Sequence, residues 1–412
     1  MKELFTLTET ADLLGKSKET LRRWDREGKL VARREPMSNY RTYHKEQLKM
    51  FEEAHALLNG QEHDFQEVVP LSDYSVLELF AGAGGLAIGM EKAGLKCAAL
   101  NEIDHWAAET LRRNRPHWNV LEGDIKDFSF QKFAGKVEVV TGGFPCQAFS
   151  YAGKKLGLDD ARGTLFYEFA RTVNEVKPLL CIGENVRGLL THDGGRTLRG
   201  MISILDEIGY RVIEPKLLRA IYHNVPQKRE RLIIVAIRKD ILIDFEYPKP
   251  RNTVYTLRDA LKRGELFPCD VPESNGVKYP AKKKEVMDLV PPGGCWRDLP
   301  TDIQKSYMQK SFYLDGGKTG MARRISWDEP SLTLTCNPAQ KQTERCHPDE
   351  TRPFKVREYA RIQTFPDDWE FSGSITQMYK QIGNAVPVNM AKEIGLCVVK
   401  FLNKYYAQAT KN

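Results

Sequence analysis

Between Tyr74 and Ile237 the chain alternates short β-branched runs with helical stretches. Val76–Leu79, Val137–Thr141, Leu179–Ile182 and Leu232–Ile237 read as strands. That alternation narrows the fold to an α/β domain with a mostly parallel sheet, whose ligands gather at the carboxyl ends of the strands. Glycines 82, 84 and 85 follow the first strand and precede a helix, so a ligand can approach the backbone closely at a helix N-terminus. Glu102 stands at the end of the expected second strand, where a carboxylate can take ribose hydroxyls. This pattern suits a dinucleotide as well as it suits S-adenosylmethionine, because both present an adenosine. A plain strand-to-helix turn would use the same glycines.

Three further groups fall at strand ends. Cys146 sits in Gly142-Gly143-Phe144-Pro145-Cys146-Gln147, beyond a strand rather than within one, where a merely structural thiol would sit. Glu184, in Glu184-Asn185-Val186, ends the strand begun at Leu179, and Gln227-Lys-Arg229-Glu-Arg231 leads into Leu232–Ile237. A nucleophile, a carboxylate and two guanidinium groups are thus expected on one sheet edge.

The rest of the chain is organised differently. Residues 1–58 read as a small unit in which a helix over Thr8–Leu14 breaks at Gly15. A second helix, capped by Ser17, carries Leu21 and Trp24 inward and ends at Gly28, and a basic wing follows with Arg33, Arg34 and Arg41. Residues 59–72 are polar and aperiodic, as a linker would be. The α/β domain is expected over 73–245 and again over 346–412, interrupted by an irregular, Pro/Gly/Lys-rich stretch at 246–345, a length usually reserved for function. The eight cysteines are scattered with no Cys-x-x-Cys pair, which speaks against a zinc site or a disulfide framework. No apolar run could span a bilayer, and no signal-peptide core follows the start, so a cytoplasmic location is expected. The net charge of +7 mildly favours a polyanionic partner.

The N-terminal segment, with Thr20-Leu-Arg-Arg-Trp24 and Tyr40-Arg-x-Tyr43, resembles the MerR/excisionase type of winged helix-turn-helix. That resemblance implies DNA contact, with Lys18, Arg22, Arg23 and Arg26 along the second helix, and pairing into a dimer. Over about residues 74–400 the chain resembles the DNA cytosine-5 methyltransferases. The family's motifs appear in order as Phe80-Ala-Gly-x-Gly-Gly, Gly123-Asp124-Ile125, Gly143-Phe-Pro-Cys-Gln, Glu184-Asn-Val, Gln227-x-Arg-x-Arg and Gln381-Ile-Gly-Asn384-Ala-Val-Pro. Arg162-Gly-Thr-Leu165-Phe and Arg357-Glu-x-x-Arg361 fit as well.

The resemblance implies a Rossmann-like, S-adenosylmethionine-dependent sheet with an irregular target-recognition domain, acting on double-stranded DNA without a metal. It implies that Cys146 adds to carbon 6 of a flipped-out cytosine, making carbon 5 nucleophilic. Glu184 would then hydrogen-bond or protonate ring nitrogen 3, Arg231 hold the 2-carbonyl and Arg229 orient the glutamate. On the cofactor side Phe80 would pack on the adenine and Gly82, Gly84 and Gly85 line the methionine. Glu102 would take the ribose, Ile103 and Ile125 sandwich the adenine, and Asp124 accept from its amine. Asn384, Val386 and Leu165 would close the pocket. The Gln147–Asp160 loop becomes a lid, and Trp296, Arg297, Arg323, Arg324, Thr333 and Thr335 become candidate DNA contacts. An oxidoreductase reading leaves Cys146, Glu184 and the arginines unexplained. A transcription regulator with a secondary methylase core, and a tRNA methylase, remain as alternatives.

Overall fold

The computed structural model describes residues 3–16, 18–35, 39–51, 54, 58, 68–145, 164–314 and 319–409. The chain divides into two compact units, Met1–Gln66 with Lys249–Thr253, and Glu67–Pro248 with Val254–Asn412.

The smaller unit contains β1 (Leu4–Thr6), α1 (Leu7–Leu14), α2 (Lys18–Arg26), β2 (Arg33–Arg34), β3 (Arg41–His44) and α3 (Lys45–Leu48). Thr6 and Glu9 form a reciprocal capping box at the start of α1, and Gly15 ends that helix with a left-handed φ of 64°. Ser17, the expected cap of α2, lies outside the described residues. Strands β1, β3 and β2 pair antiparallel in that order. Leu14, Leu21, Trp24, Leu30, Tyr43 and Leu48 fill the core, with Trp24 stacked on Phe51. Asp25 ties α2 to the wing by accepting from the Ala32 amide at 2.9 Å and from Arg41 Nε at 2.7 Å.

The larger unit is built on β4 (Ser75–Leu79), α4 (Gly85–Lys92), β5 (Lys96–Glu102), α5 (His105–Asn114), β6 (Val120–Glu122), β7 (Val139–Gly142), α6 (Leu165–Val176), β8 (Leu180–Val186) and α7 (Arg196–Glu207). It continues with β9 (Tyr210–Val212), β10 (Lys216–Arg219), β11 (Gln227–Lys228) and β12 (Glu230–Arg238). The sheet order is β10-β12-β8-β7-β4-β5-β6, with β9 also on β12. From β8 to β6 neighbouring strands are parallel, while β12 runs antiparallel to β8 with Arg231 opposite Val186 and Ile233 opposite Glu184. An antiparallel strand begins where its neighbour ends. The start of β12, with its arginine, therefore lies at the same edge as Glu184.

Beyond the sheet come α8 (Leu257–Leu261), α9 (Ala281–Asp288), α10 (Thr301–Met308), β13 (Ser331–Leu332), α11 (Val356–Ile362), α12 (Ile375–Asn384) and α13 (Val388–Ala409). Met287, Trp296, Leu299, Met308 and Met321 form a small core of their own. Leu257, Leu261, Ile325 and Leu334 instead join Tyr359, Ile362 and Ile382. The irregular region is thus anchored at both ends in the apolar core beneath α11 and α12. Helix α13 packs on α4 so closely that a Cβ on Gly89 would stand 2.3 Å from that of Ala391. Ahead of β4, the Leu71 amide donates to Asn403 Oδ1 and Asn403 Nδ2 to the Val69 carbonyl. The last residues of the expected linker therefore lie against α13. Among the described residues no helix is long and apolar enough to cross a membrane.

Candidate functional site

A cavity of about 760 Å³ opens at the carboxyl edge of the parallel strands. Its first wall is the turn after β4. There Phe80 has a φ of 57°, a conformation that costs energy for a side chain bearing a Cβ and that clusters at functional sites. Gly82 donates its amide to Glu102 Oε2 at 2.6 Å, and the Asp104 amide donates to Oε1 at 2.7 Å. Burial pushes the Glu102 carboxyl up, against the pull of these backbone donors. At the floor lies Glu78, buried, with Oε2 lacking any partner. Burial and the neighbouring Glu102 carboxylate hold its carboxyl well above the usual range.

The opposite wall holds the β7 and β8 ends. Asn185 Nδ2 donates to the Phe144 carbonyl at 2.8 Å, pinning the Gly143–Pro145 turn to β8. Glu184 Oε2 faces that turn, 3.0 Å from where a Cβ on Gly143 would stand. Its other oxygen pairs with Arg231 Nε at 2.5 Å, both side chains about 11% exposed. The two atoms form a close ion pair, not an aligned hydrogen bond. Pro145 lines the cavity, and Cys146, the expected nucleophile, lies outside the described residues, as do the Gln147–Asp160 lid and Arg162.

The third wall comes from α12 and the turn after it, through Lys380, Gln381, Asn384, Ala385 and Val386. Gln381 Oε1 accepts from the buried Thr110 hydroxyl at 2.7 Å, and at the rim Lys380 Nζ meets Asp104 Oδ2 at 2.7 Å. These contacts fasten α12 to α5 across the cavity.

Of the residues expected to hold the cofactor, Phe80, Gly82, Gly85, Glu102, Ile103, Asn384 and Val386 line the cavity, and Ile103 is 66% exposed there. Gly84, Asp124, Ile125 and Leu165 do not line it. The Ile125 side chain is buried in the core with Phe130 and Val140, and Asp124 Oδ1 accepts from the Lys126 amide. Leu165 packs against that same core at the start of α6.

The expected division of labour between the arginines also needs correction. Arg229 does not reach Glu184. It is 1% exposed and donates to the carbonyls of Leu334, Gly383 and Asn384 at 3.2, 2.9 and 3.4 Å. The reason is a kink between β11 and β12, where the Arg229 amide bonds back to the Gln227 carbonyl and the side chain turns inward. Burial and the neighbouring Arg231 pull its guanidinium down to about 9.

Several expected DNA contacts are structural as well. Arg324 is buried and holds the carbonyls of Met287, His347 and Pro348. Trp296 is in the small core with Met287 and Leu299, Thr333 Oγ1 donates to the Lys228 carbonyl, and Thr335 bonds to Tyr359. Glu78, Asn185, Asp104 and Lys380 escaped the sequence reading. Only Asn185 carried a signal there, as the middle of Glu-Asn-Val. Among the described residues no group of His, Cys, Asp and Glu comes together that could hold a metal ion.

The family model for C-5 cytosine-specific DNA methylases matches residues 74–400, and that for MerR helix-turn-helix regulatory proteins matches residues 5–71. The chain is 62% identical over 406 residues to the Type II methyltransferase M.Eco47II of Escherichia coli, covering 98% of this chain and 97% of that one. It is 54% identical over 345 residues to the Type II methyltransferase M.Sau96I of Staphylococcus aureus, covering 83% and 79%. Among solved structures it is similar to an E. coli prophage DNA modification methyltransferase, with TM-score 0.62, 20% identity and coverage of 80% and 100%. The S. pombe Dnmt2 methyltransferase gives TM-score 0.53, 17% identity and coverage of 81% and 99%. These two show a shared fold.

Proposed function

The chain belongs to the C-5 cytosine-specific DNA methylases and carries a MerR-like helix-turn-helix, and from that premise we propose that it methylates a flipped-out cytosine in a specific duplex sequence through a covalent adduct on Cys146. The observation that carries the proposal is the Glu184–Arg231 pair on a cavity wall shared with the Gly143–Pro145 turn, which leads in sequence directly into Cys146.

The residues supply what the chemistry needs. Carbon 5 of cytosine is a poor nucleophile because the ring is aromatic. Addition of the Cys146 thiolate to carbon 6 breaks that aromaticity. Negative charge then builds toward ring nitrogen 3, where Glu184, in its acid form with the proton on the oxygen not paired with Arg231, would donate a proton or a hydrogen bond. Arg231, paired with Glu184, orients the carboxyl and is in reach to hold the base carbonyl. Asn185 keeps the turn before Cys146 in register with Glu184. The base must leave the helix to enter the cavity.

S-adenosylmethionine fits the same cavity, and when bound it supplies an electrophilic methyl group on a cationic sulfur. The cavity is lined by the carboxyls of Glu78, Glu102, Asp104 and Glu184, with Lys380 and Arg231 as its cations, and Glu78 Oε2 has no partner. Glu102 would accept from the ribose, Ile103 and Phe80 would flank the adenine, and Gly82, Gly85, Asn384 and Val386 would line the remainder. The N-terminal unit would bind DNA separately, at an operator.

Bisulfite sequencing of plasmid DNA from cells expressing the chain should show protected cytosines within one recurring sequence, and none with Cys146→Ser. Protection by the serine variant, or protection without sequence preference, contradicts the proposal.

A further inference from the structure

The cavity wall that carries Asn384 does not hold itself in place. Helix α12 ends at Asn384 and Ala385 turns to extended backbone, so the last carbonyls of the helix need outside donors. Arg229 provides them, bonding Gly383 and Asn384 through Nη2 and the Leu334 carbonyl through Nη1. One buried cation thereby staples the Leu334–Cys336 stretch of the recognition region to the cofactor wall. The two backbones are in direct contact, since a Cβ on Gly383 would lie 2.4 Å from the Thr335 carbonyl oxygen. Tyr359 fixes the stretch further, donating its hydroxyl to the Thr335 carbonyl and accepting the Thr335 amide.

The next residue is Cys336. Its Sγ donates to Asn384 Oδ1 at 3.1 Å, while Asn384 itself lines the cavity. A carboxamide has one acceptor oxygen and two N–H donors, and a half-turn about its last bond exchanges them. With Oδ1 taken by the thiol, the NH2 group is what remains for a ligand. The carboxylate of S-adenosylmethionine, which can only accept, is a partner for that donor. Cys336 is exposed, so the bond is not a by-product of core packing.

We propose that Cys336 is a positioning residue for the methyl donor, its thiol holding the Asn384 amide with the NH2 group presented to the cavity. The recognition region then shapes the cofactor pocket as well as the DNA surface. This rests on the reading of Asn384 as a cofactor contact.

Calorimetric binding of S-adenosylmethionine to the full-length chain, with steady-state methylation of plasmid DNA, tests it in Cys336→Ala, Cys336→Ser, Asn384→Ala and the alanine double variant. Loss of one hydrogen bond predicts a rise of about three- to tenfold in the Kd and KM for S-adenosylmethionine in Cys336→Ala, with kcat unchanged. The serine variant, which keeps a donor, should stay within about twofold of the parent. Asn384→Ala should weaken binding at least as much, and adding Cys336→Ala to it should change nothing more. Parental affinity in Cys336→Ala, additive losses in the double variant, or a fall in kcat at saturating cofactor each overturn the role of the thiol. Parental affinity in Asn384→Ala overturns instead the reading of Asn384 on which it stands.

Discussion

Glu184 meets Arg231, and not Arg229, because Arg231 lies within the strand that pairs with β8 while Arg229 falls in the kink before it. Glu184 lies near the end of β8, Arg231 near the start of its antiparallel neighbour, and the kink before that strand buries Arg229. The residue types were legible in the sequence, since a carboxylate and two arginines at strand ends announce a site. Their pairing was not, because it depends on strand direction and on a kink that the sequence pattern does not mark. Glu184→Gln should slow single-turnover methyl transfer roughly 10²–10⁴-fold while leaving DNA affinity nearly intact. Equal losses in rate and affinity would make Glu184 a binding residue only. Glu78 was invisible for a different reason, as a lone carboxylate in an apolar strand. Its elevated pKa gives a definite sign. A carboxyl raised above its unfolded value favours the fold at low pH, and that contribution is lost as pH rises through the folded value. Thermal unfolding without cofactor should therefore find Glu78→Gln more stable than the parent, with the gap widening from acid to neutral pH. A gap that narrows with rising pH would contradict the assignment.

The glycine-rich turn shows at the level of elements what the sequence could and could not reveal. Gly82, Gly84 and Gly85 were readable as a close backbone approach, but the partner was expected to be a ligand. For Gly85 it is the chain itself, since a Cβ there would stand 2.3 Å from the Val386 carbonyl oxygen. Helix α4 is thus pressed on the turn after α12, some three hundred residues away in sequence. Gly85→Ala must push that turn aside, which by analogy with overpacked cores costs about 1–3 kcal/mol. It should also raise the KM for S-adenosylmethionine more than it lowers kcat, because Val386 lines the cavity proposed to take it. A stable variant with unchanged KM would mean that this wall does not touch the cofactor. The region expected to be irregular carries α8, α9, α10 and β13, separated by longer stretches outside any helix of that length or strand. Its buried Arg324 and Trp296 were taken for DNA-facing groups because sequence does not distinguish an arginine holding carbonyls from one awaiting a phosphate.

At the scale of the whole molecule, two compact units point to separable activities. The arginines of α2 lie in exposed pairs, Arg22 and Arg26 with Glu19 and Arg23 with Glu27, which are weak enough to yield to phosphate. Removing residues 1–66 should keep target methylation and abolish binding to a separate operator. The cut must stop there, because Val69 and Leu71 are bonded to Asn403. A folded, inactive truncation would make the N-terminal unit part of the methylase. The covalent step leaves a trappable adduct. Duplex DNA made with 5-fluorocytosine, mixed with the chain and S-adenosylmethionine, should yield a complex that survives denaturation. The reason is that fluorine cannot leave carbon 5 as a cation, so the adduct cannot resolve. Peptide mapping should place the attached base on Cys146. Methylation of ordinary duplex DNA by a preparation that forms no such complex, or a complex mapped to another of the eight cysteines, would contradict the account.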